Sequence, residues 1–274
     1  MDMNGPVGVF DSGVGGISVL QTARMLLPQE DYIYYGDTAH APYGTKPPDE
    51  VMRYVSYVAD HLMACGTKAI LIACNTATSV AAAHLRSTVQ IPVIGMEPAL
   101  KPASLLRHGG KILVMATPVT LQLPKFQQLM EQYGDGALPV PCPGLMEFVE
   151  QGHWKGHDVL NHLKKLLSPY LTQPVDAVVL GCTHYIFLRE AIQSFFSADT
   201  AVIDGNIGTV RQLARRLSSD RILKPFGRQG KVVLETSGNP AVMIPRMEKL
   251  LSIPSQPLDA LSLPEIDDIS DNKV

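Results

Sequence analysis

Cysteine is scarce and scattered in this chain. Its four thiols, Cys65, Cys74, Cys142 and Cys182, form no Cys-x-x-Cys pair, and no His-x-x-x-His zinc helix accompanies them. The usual frameworks of a dithiol exchanger or a zinc module are therefore excluded, and no metal is expected. An excess of positive charge is missing too. The formal net charge is −3, with no basic block, so nucleic-acid binding has no electrostatic footprint. Long apolar runs are also wanting. The longest candidate, Val51 to Cys74, is interrupted by Arg53, Asp60 and Lys68, short of the ~18 apolar residues of a membrane span. The opening Met-Asp-Met-Asn-Gly-Pro is acidic and leads straight into a strand, unlike a secretory signal. A cytoplasmic protein with free thiols and no membrane partner is the expectation.

What is present is enough apolar material for real cores: 46% hydrophobic residues against 18% charged, over 274 residues. That length favours two domains over one. Short apolar runs alternate with helical patterns along the whole chain, which predicts parallel sheets and a doubly wound α/β fold. Strands are expected at 7–10, 31–35, 69–73, 92–95, 111–116, 176–180, 201–204 and 231–236. Single helices are expected over 121–133, 157–171 and 186–196, with 145–152 a segment preceding a helix. The pattern divides into a first lobe of residues 1–97 plus 207–274 and a second of 98–206. The tail beyond Leu263 is acidic and expected to fray.

Two strands end alike. Ile-Leu-Ile-Ala-Cys74-Asn75-Thr76 and Val-Val-Leu-Gly-Cys182-Thr183-His184 each run from a buried strand into a small residue, a cysteine and polar groups opening a helix. Ligands of open α/β sheets bind at such strand ends. A helix N-terminus there is expected to lower the thiol pKa from ~8.5. One such cysteine reads equally well as a buried structural residue. Two in matched positions, one per lobe, are hard to explain as packing. Opposed thiols across a cleft suit inversion at a carbon, one removing a proton and the other returning one to the opposite face. Asp11 ends the first strand, before Ser12-Gly13-Val14-Gly15-Gly16. Its carboxylate suits an ammonium group, and the glycine N–H groups suit a carboxylate. Asp11 and His184 are the neighbours expected to assist the two sulfurs. No Schiff-base lysine motif or phosphate cup is evident, so pyridoxal phosphate is not expected.

Asp11-Ser12-Gly13-Val14-Gly15-Gly16, Pro42-Tyr43-Gly44, Ala73-Cys74-Asn75-Thr76-Ala77 and Gly181-Cys182-Thr183-His184-Tyr185 together closely resemble the glutamate racemases, in order and spacing. The resemblance implies a cofactor-independent enzyme, usually a homodimer, that interconverts L- and D-glutamate for peptidoglycan. It also implies two α/β lobes with the site between them. Cys74 then corresponds to the base for D-glutamate and Cys182 to the base for L-glutamate. Asp11, Ser12, Tyr43, Gly44, Asn75, Thr76, Thr183 and His184 correspond to substrate-binding positions, and Thr117 and Thr120 to further carboxylate contacts. Glu150 corresponds to an acid beside the second cysteine, although Glu147 stands where the family pattern carries proline. Two alternatives stay open: an aspartate racemase of the same superfamily, and a hydrolase or amidase that uses one cysteine.

Overall fold

The computed structural model describes residues 3–254; the acidic tail lies outside them. The first lobe opens with β1 (Val7–Asp11), α1 (Ile17–Leu26), β2 (Tyr32–Gly36), α2 (Pro48–Ala64), β3 (Ala69–Ile72), α3 (Asn75–Thr88) and β4 (Val93–Gly95). The chain then passes to a second sheet through α4 (Leu100–Leu105), β5 (Lys111–Ala116), α5 (Pro118–Gln122), α6 (Pro124–Tyr133) and β6 (Ala137–Pro141). There follow α7 (Leu145–Glu150), α8 (His157–Leu167), β7 (Val175–Leu180), a 3-10 turn (Thr183–Leu188), α9 (Arg189–Gln193) and β8 (Ala201–Asp204). It returns through α10 (Asn206–Ser219), β9 (Val232–Thr236) and α11 (Pro240–Leu251). The sheets have the orders β4-β3-β1-β2-β9 and β6-β5-β7-β8. Every pairing is parallel, as the strand–helix alternation predicts.

Parallel sheets need cover on both faces, and side-chain alternation shows how each is covered. In the first sheet, Phe10, Ile33, Tyr35, Ile70 and Ile72 join one core with Val51, Val55, Val58 and Leu62 of α2. The opposite face, with Val7, Val9, Tyr34 and Leu71, belongs to a core that also holds Leu113, Met115, Val178 and Leu180 of the second sheet. The remaining face of that sheet, through Ile112, Val114, Ala177 and Val179, packs with Leu100 and Phe126. One shared core therefore runs between the lobes. It fixes the carboxyl ends of β1 and β3 opposite those of β5 and β7.

Three local expectations need correction, and one strand is added. The helix expected over 121–133 is broken at Leu123, which is extended (φ −75°, ψ 142°) because Pro124 disfavours helical backbone before it, and α5 starts earlier, at Pro118. Residues 137–141 form a strand despite two prolines. β6 is an edge strand, and Cys142 N–H donates to the Ala116 carbonyl at 3.0 Å. Pro139 and Pro141 have the opposite parity and withhold no bond from β5. Leu145–Glu150 is itself a helix. The helix expected over 186–196 is a 3-10 turn followed by the five-residue α9. No helix among the described residues is long and apolar enough to cross a membrane.

The opposite end of the first sheet is pinned by a buried ion pair. Lys68 Nζ lies 2.6 Å from Glu30 Oε2, with both side chains fully buried. The ammonium also donates to the carbonyls of Ile222 (2.7 Å) and Met3 (3.0 Å). Removing one partner strands the other charge in the core. Lys68→Met is expected to lower the unfolding free energy by about 3–5 kcal/mol, read from urea denaturation. A loss under about 1 kcal/mol would contradict this reading.

Candidate active site

Both repeated cysteine motifs end at the same place. Cys74 caps α3, its sulfur accepting from Ala77 N–H at 3.4 Å and donating to Ser12 Oγ at 3.7 Å. Cys182 caps the 3-10 turn, and its sulfur lies 3.6 Å from His184 Nδ1. Both thiols face one narrow cavity of about 10 Å³, walled also by Ser12, Gly44, Asn75, Thr76, Thr117, Thr120, Thr183 and His184. Cys74 and Cys182 are buried alike, 7% and 8% exposed. Differences in their chemistry therefore come from neighbours and not from access.

Around Cys74 the neighbours disfavour charge. Burial and the Asp11 carboxylate push its thiol up to about 12, against weaker help from the Ala77 and Ser12 hydrogen bonds. The expected lowering at the helix N-terminus is thus overturned: one N–H bond does not offset loss of water. Around Cys182 the arrangement differs. Burial pulls the His184 imidazole down, but the hydrogen bonds and charges of Cys182 and Glu150 outweigh it and hold the ring well above its ordinary value. His184 Nε2 meets Glu150 Oε1 at 2.7 Å. The ring therefore links Glu150 to the Cys182 sulfur, in surroundings that favour its charged form.

Asp11, Glu150 and Tyr43 stand behind the cavity wall. Fully buried Asp11 accepts from Gly13 N–H (2.9 Å) and Thr183 Oγ1 (3.0 Å), and burial raises its carboxyl pKa while His184 opposes. Glu150 Oε1 also accepts from Val14 N–H at 2.8 Å. Two N–H groups of the glycine loop, expected to await a ligand carboxylate, are thus engaged by the protein's own acids. The Tyr43 hydroxyl donates to Asp37 at 2.5 Å, so it is Gly44 that reaches the cavity. A β-carbon on Gly44 would stand 2.7 Å from Thr117 Cβ, which is why a residue without one occupies this crossing between lobes.

The polar groups left for a ligand cluster at the other end. Hydroxyls of Thr76 and Thr120 meet at 2.9 Å, and those of Thr117 and Thr120 at 2.8 Å, joining α3 to α5 across the lobes. Asn75 Oδ1 is buried without a hydrogen-bond partner among the described residues. An orphan acceptor in a cavity wall calls for a donor from the occupant. The cavity therefore offers an acceptor for an ammonium group, hydroxyls for a carboxylate, and two sulfurs.

The family model for Asp/Glu/Hydantoin racemase matches residues 17–213. The chain belongs to this racemase family. It is 46% identical to the glutamate racemase of Clostridium perfringens, covering 91% of this chain and 97% of the relative. Among solved structures, it resembles the glutamate racemase of Thermus thermophilus in complex with beta-chloro-D-alanine. That match has 36% identity and a TM-score of 0.77 over 91% of this chain and 94% of the other. It also resembles the glutamate racemase of Francisella tularensis in complex with D-glutamate, at 29% identity and a TM-score of 0.79 over 93% and 96%.

Within this member of the racemase family, sequence reading missed Asp37, whose carboxylate anchors Tyr43 and meets His40 Nδ1 at 2.8 Å. It also missed Met146 and Gly181, which wall the cavity. Asp37 follows a strand end as Asp11 does, a signal that could have found it. Met146 carries no motif. The contrast between the thiols gives a direct expectation for alkylation by iodoacetamide. At pH 7.5, Cys182 should label at least about tenfold faster than Cys74. Cys74 labelling should rise about tenfold per pH unit up to pH 10, because its thiol titrates above that range. Peptide mass spectrometry of timed samples checks both. Equal rates at pH 7.5 would contradict the asymmetry.

Proposed function

We propose that this protein interconverts L- and D-glutamate by a two-base mechanism, with Cys74 and Cys182 on opposite faces of the substrate Cα. One sulfur, as thiolate, takes the α-proton. The other, as thiol, gives a proton to the opposite face, so the configuration inverts and the sulfurs exchange states. In the reading that the family resemblance supports, Cys182 acts on L-glutamate and Cys74 on D-glutamate. The observation that carries the proposal is the shared cavity: two matched thiols from two lobes, buried equally, facing one small space.

The other residues take supporting roles. Asn75, with its unpaired acceptor, receives the ammonium, aided by the negative charge of Asp11 behind Ser12. Thr76, Thr117, Thr120 and Thr183 supply hydroxyls for the carboxylates. His184, held by Glu150, orients toward the Cys182 sulfur and answers its charge. Glu150 works through His184 and is a positioning residue. An α-proton is weakly acidic, so the carbanionic transition state needs fixed dipoles in a space closed to water. The N–H groups at the start of α3 and the still-protonated substrate ammonium provide that field without a cofactor.

The wider setting belongs to the same proposal. The lobes are residues 1–97 with 207–274, and 98–206. The enzyme works as a cytoplasmic homodimer that supplies D-glutamate for peptidoglycan. The family resemblance supports these readings, as do the sheet orders for the lobes.

The decisive assay is circular dichroism of L-glutamate with purified protein. The optical signal is expected to decay to zero, equally with and without chelator, while L-aspartate is unchanged. Cys74→Ser and Cys182→Ser should each lower the racemisation rate at least about 10³-fold, within the range for loss of an acid/base group. Full activity in either variant sinks the two-base scheme.

A further inference from the structure

Away from the cavity, the last turns of α2 and the edge strand β9 bring together three groups that the racemase reading does not use. His61 lies in the last turn of α2 and Cys65, four residues on, caps its C-terminus, on the same side of the helix. Glu235 lies in β9, beside Tyr35 of β2 in the sheet register, on the face that α2 covers. His61 Nε2 is 2.6 Å from Glu235 Oε2, and the Cys65 sulfur is 3.8 Å from the same nitrogen. All three donor atoms lie within 4.8 Å of one another. The Tyr35 ring backs the imidazole, with centroids 5.1 Å apart. Cys65 is exposed, and the His61 and Glu235 side chains are 36% and 30% exposed, so an ion can enter from solvent.

We propose that His61, Cys65 and Glu235 form a zinc site, with water as the fourth ligand. One imidazole, one thiolate and one carboxylate suit a borderline-soft cation. Magnesium and calcium, which take oxygen ligands, fit poorly. Tetrahedral zinc with bonds of about 2.0–2.3 Å sets neighbouring donors about 3.3–3.6 Å apart. The sulfur–nitrogen gap needs a few tenths of an ångström of closure, and the His–Glu pair must open by less than about 1 Å. On binding, the Cys65 S–H bond ionises, its proton leaves to solvent, and a sulfur–zinc bond forms. The proton shared by His61 Nε2 and Glu235 Oε2 moves to His61 Nδ1 or leaves to solvent, so that both atoms bond to zinc in place of their hydrogen bond.

The position defines the consequence. β9 is the outermost strand of its sheet and pairs with β2 alone. A zinc bridge ties this returning strand to α2, which leads through Gly66 into β3 and Cys74. The ion is a staple and takes no part in proton transfer. No local ligand spacing marks the site, because the third ligand comes from 174 residues beyond His61.

The test uses full-length protein stripped with chelator and titrated with Zn²⁺ by calorimetry and with Co²⁺ by absorption. One equivalent of each is expected to bind, with a sulfur-to-cobalt charge-transfer band and an upward shift in Tm with Zn²⁺. Cys65→Ser should abolish that band, and Cys65→Ser and Glu235→Gln should each weaken Zn²⁺ binding at least about tenfold. Racemisation by Cys65→Ser should be unchanged. The Cys74→Ala, Cys182→Ala double variant should keep the band. A band that survives Cys65→Ser, or vanishes in the double variant, places the metal elsewhere and overturns the proposal. So does the absence of stoichiometric Zn²⁺ binding by the folded wild-type protein.

Discussion

The cavity depends on the seam where the β1–α1 loop meets the second lobe. Asp11 reaches across to Thr183 at 3.0 Å, and Glu150 reaches back to Val14 N–H at 2.8 Å. Each bond involves a carboxylate, and charge-assisted bonds are worth roughly 1.5–3 kcal/mol each. The loop comes so close that a β-carbon on Gly13 would collide with Glu150 and one on Gly15 with His184. The glycines are therefore needed less for binding a ligand than for letting two lobes touch. Added to the shared core, that seam holds the loops after β1, β3 and β7 together, so that both sulfurs face one space.

The same seam makes the two thiols unlike. Asp11 is fully buried and adds negative charge near Cys74, while Glu150 holds toward Cys182 an imidazole whose charged form is favoured. Near neutrality, the thiol that keeps its proton and the sulfur that faces this imidazole lie on opposite walls. The pseudo-symmetry of the strands is thus broken by one acid and one histidine. That break makes the two walls of the site electrostatically unlike.

Much of this was legible in the residues. The matched runs into Cys74 and Cys182 located both sulfurs, because buried parallel strands write themselves as continuous apolar segments. Helix α2 was plain from its Val51, Val55, Val58 and Leu62 stripe. The chain's return to the first sheet through β9 was suggested only by the order of strands. What was hidden was tertiary. The raised thiol of Cys74 comes from how completely it is buried, which no local pattern reports. β6 was masked by Pro139 and Pro141, harmless only on an edge. Asn75's unpaired oxygen, the strongest sign of an occupant, required knowing every neighbour.

The account's central claim is that two sulfurs on opposite faces handle one proton each. The most direct measurement is isotope placement during the first few percent of L-glutamate turnover in deuterated water. The D-glutamate formed should carry one deuterium at Cα from the start, while recovered L-glutamate stays protiated. Deuterium entering recovered L-glutamate as fast as D-glutamate forms would mean that one exchangeable group serves both faces, and would contradict the account.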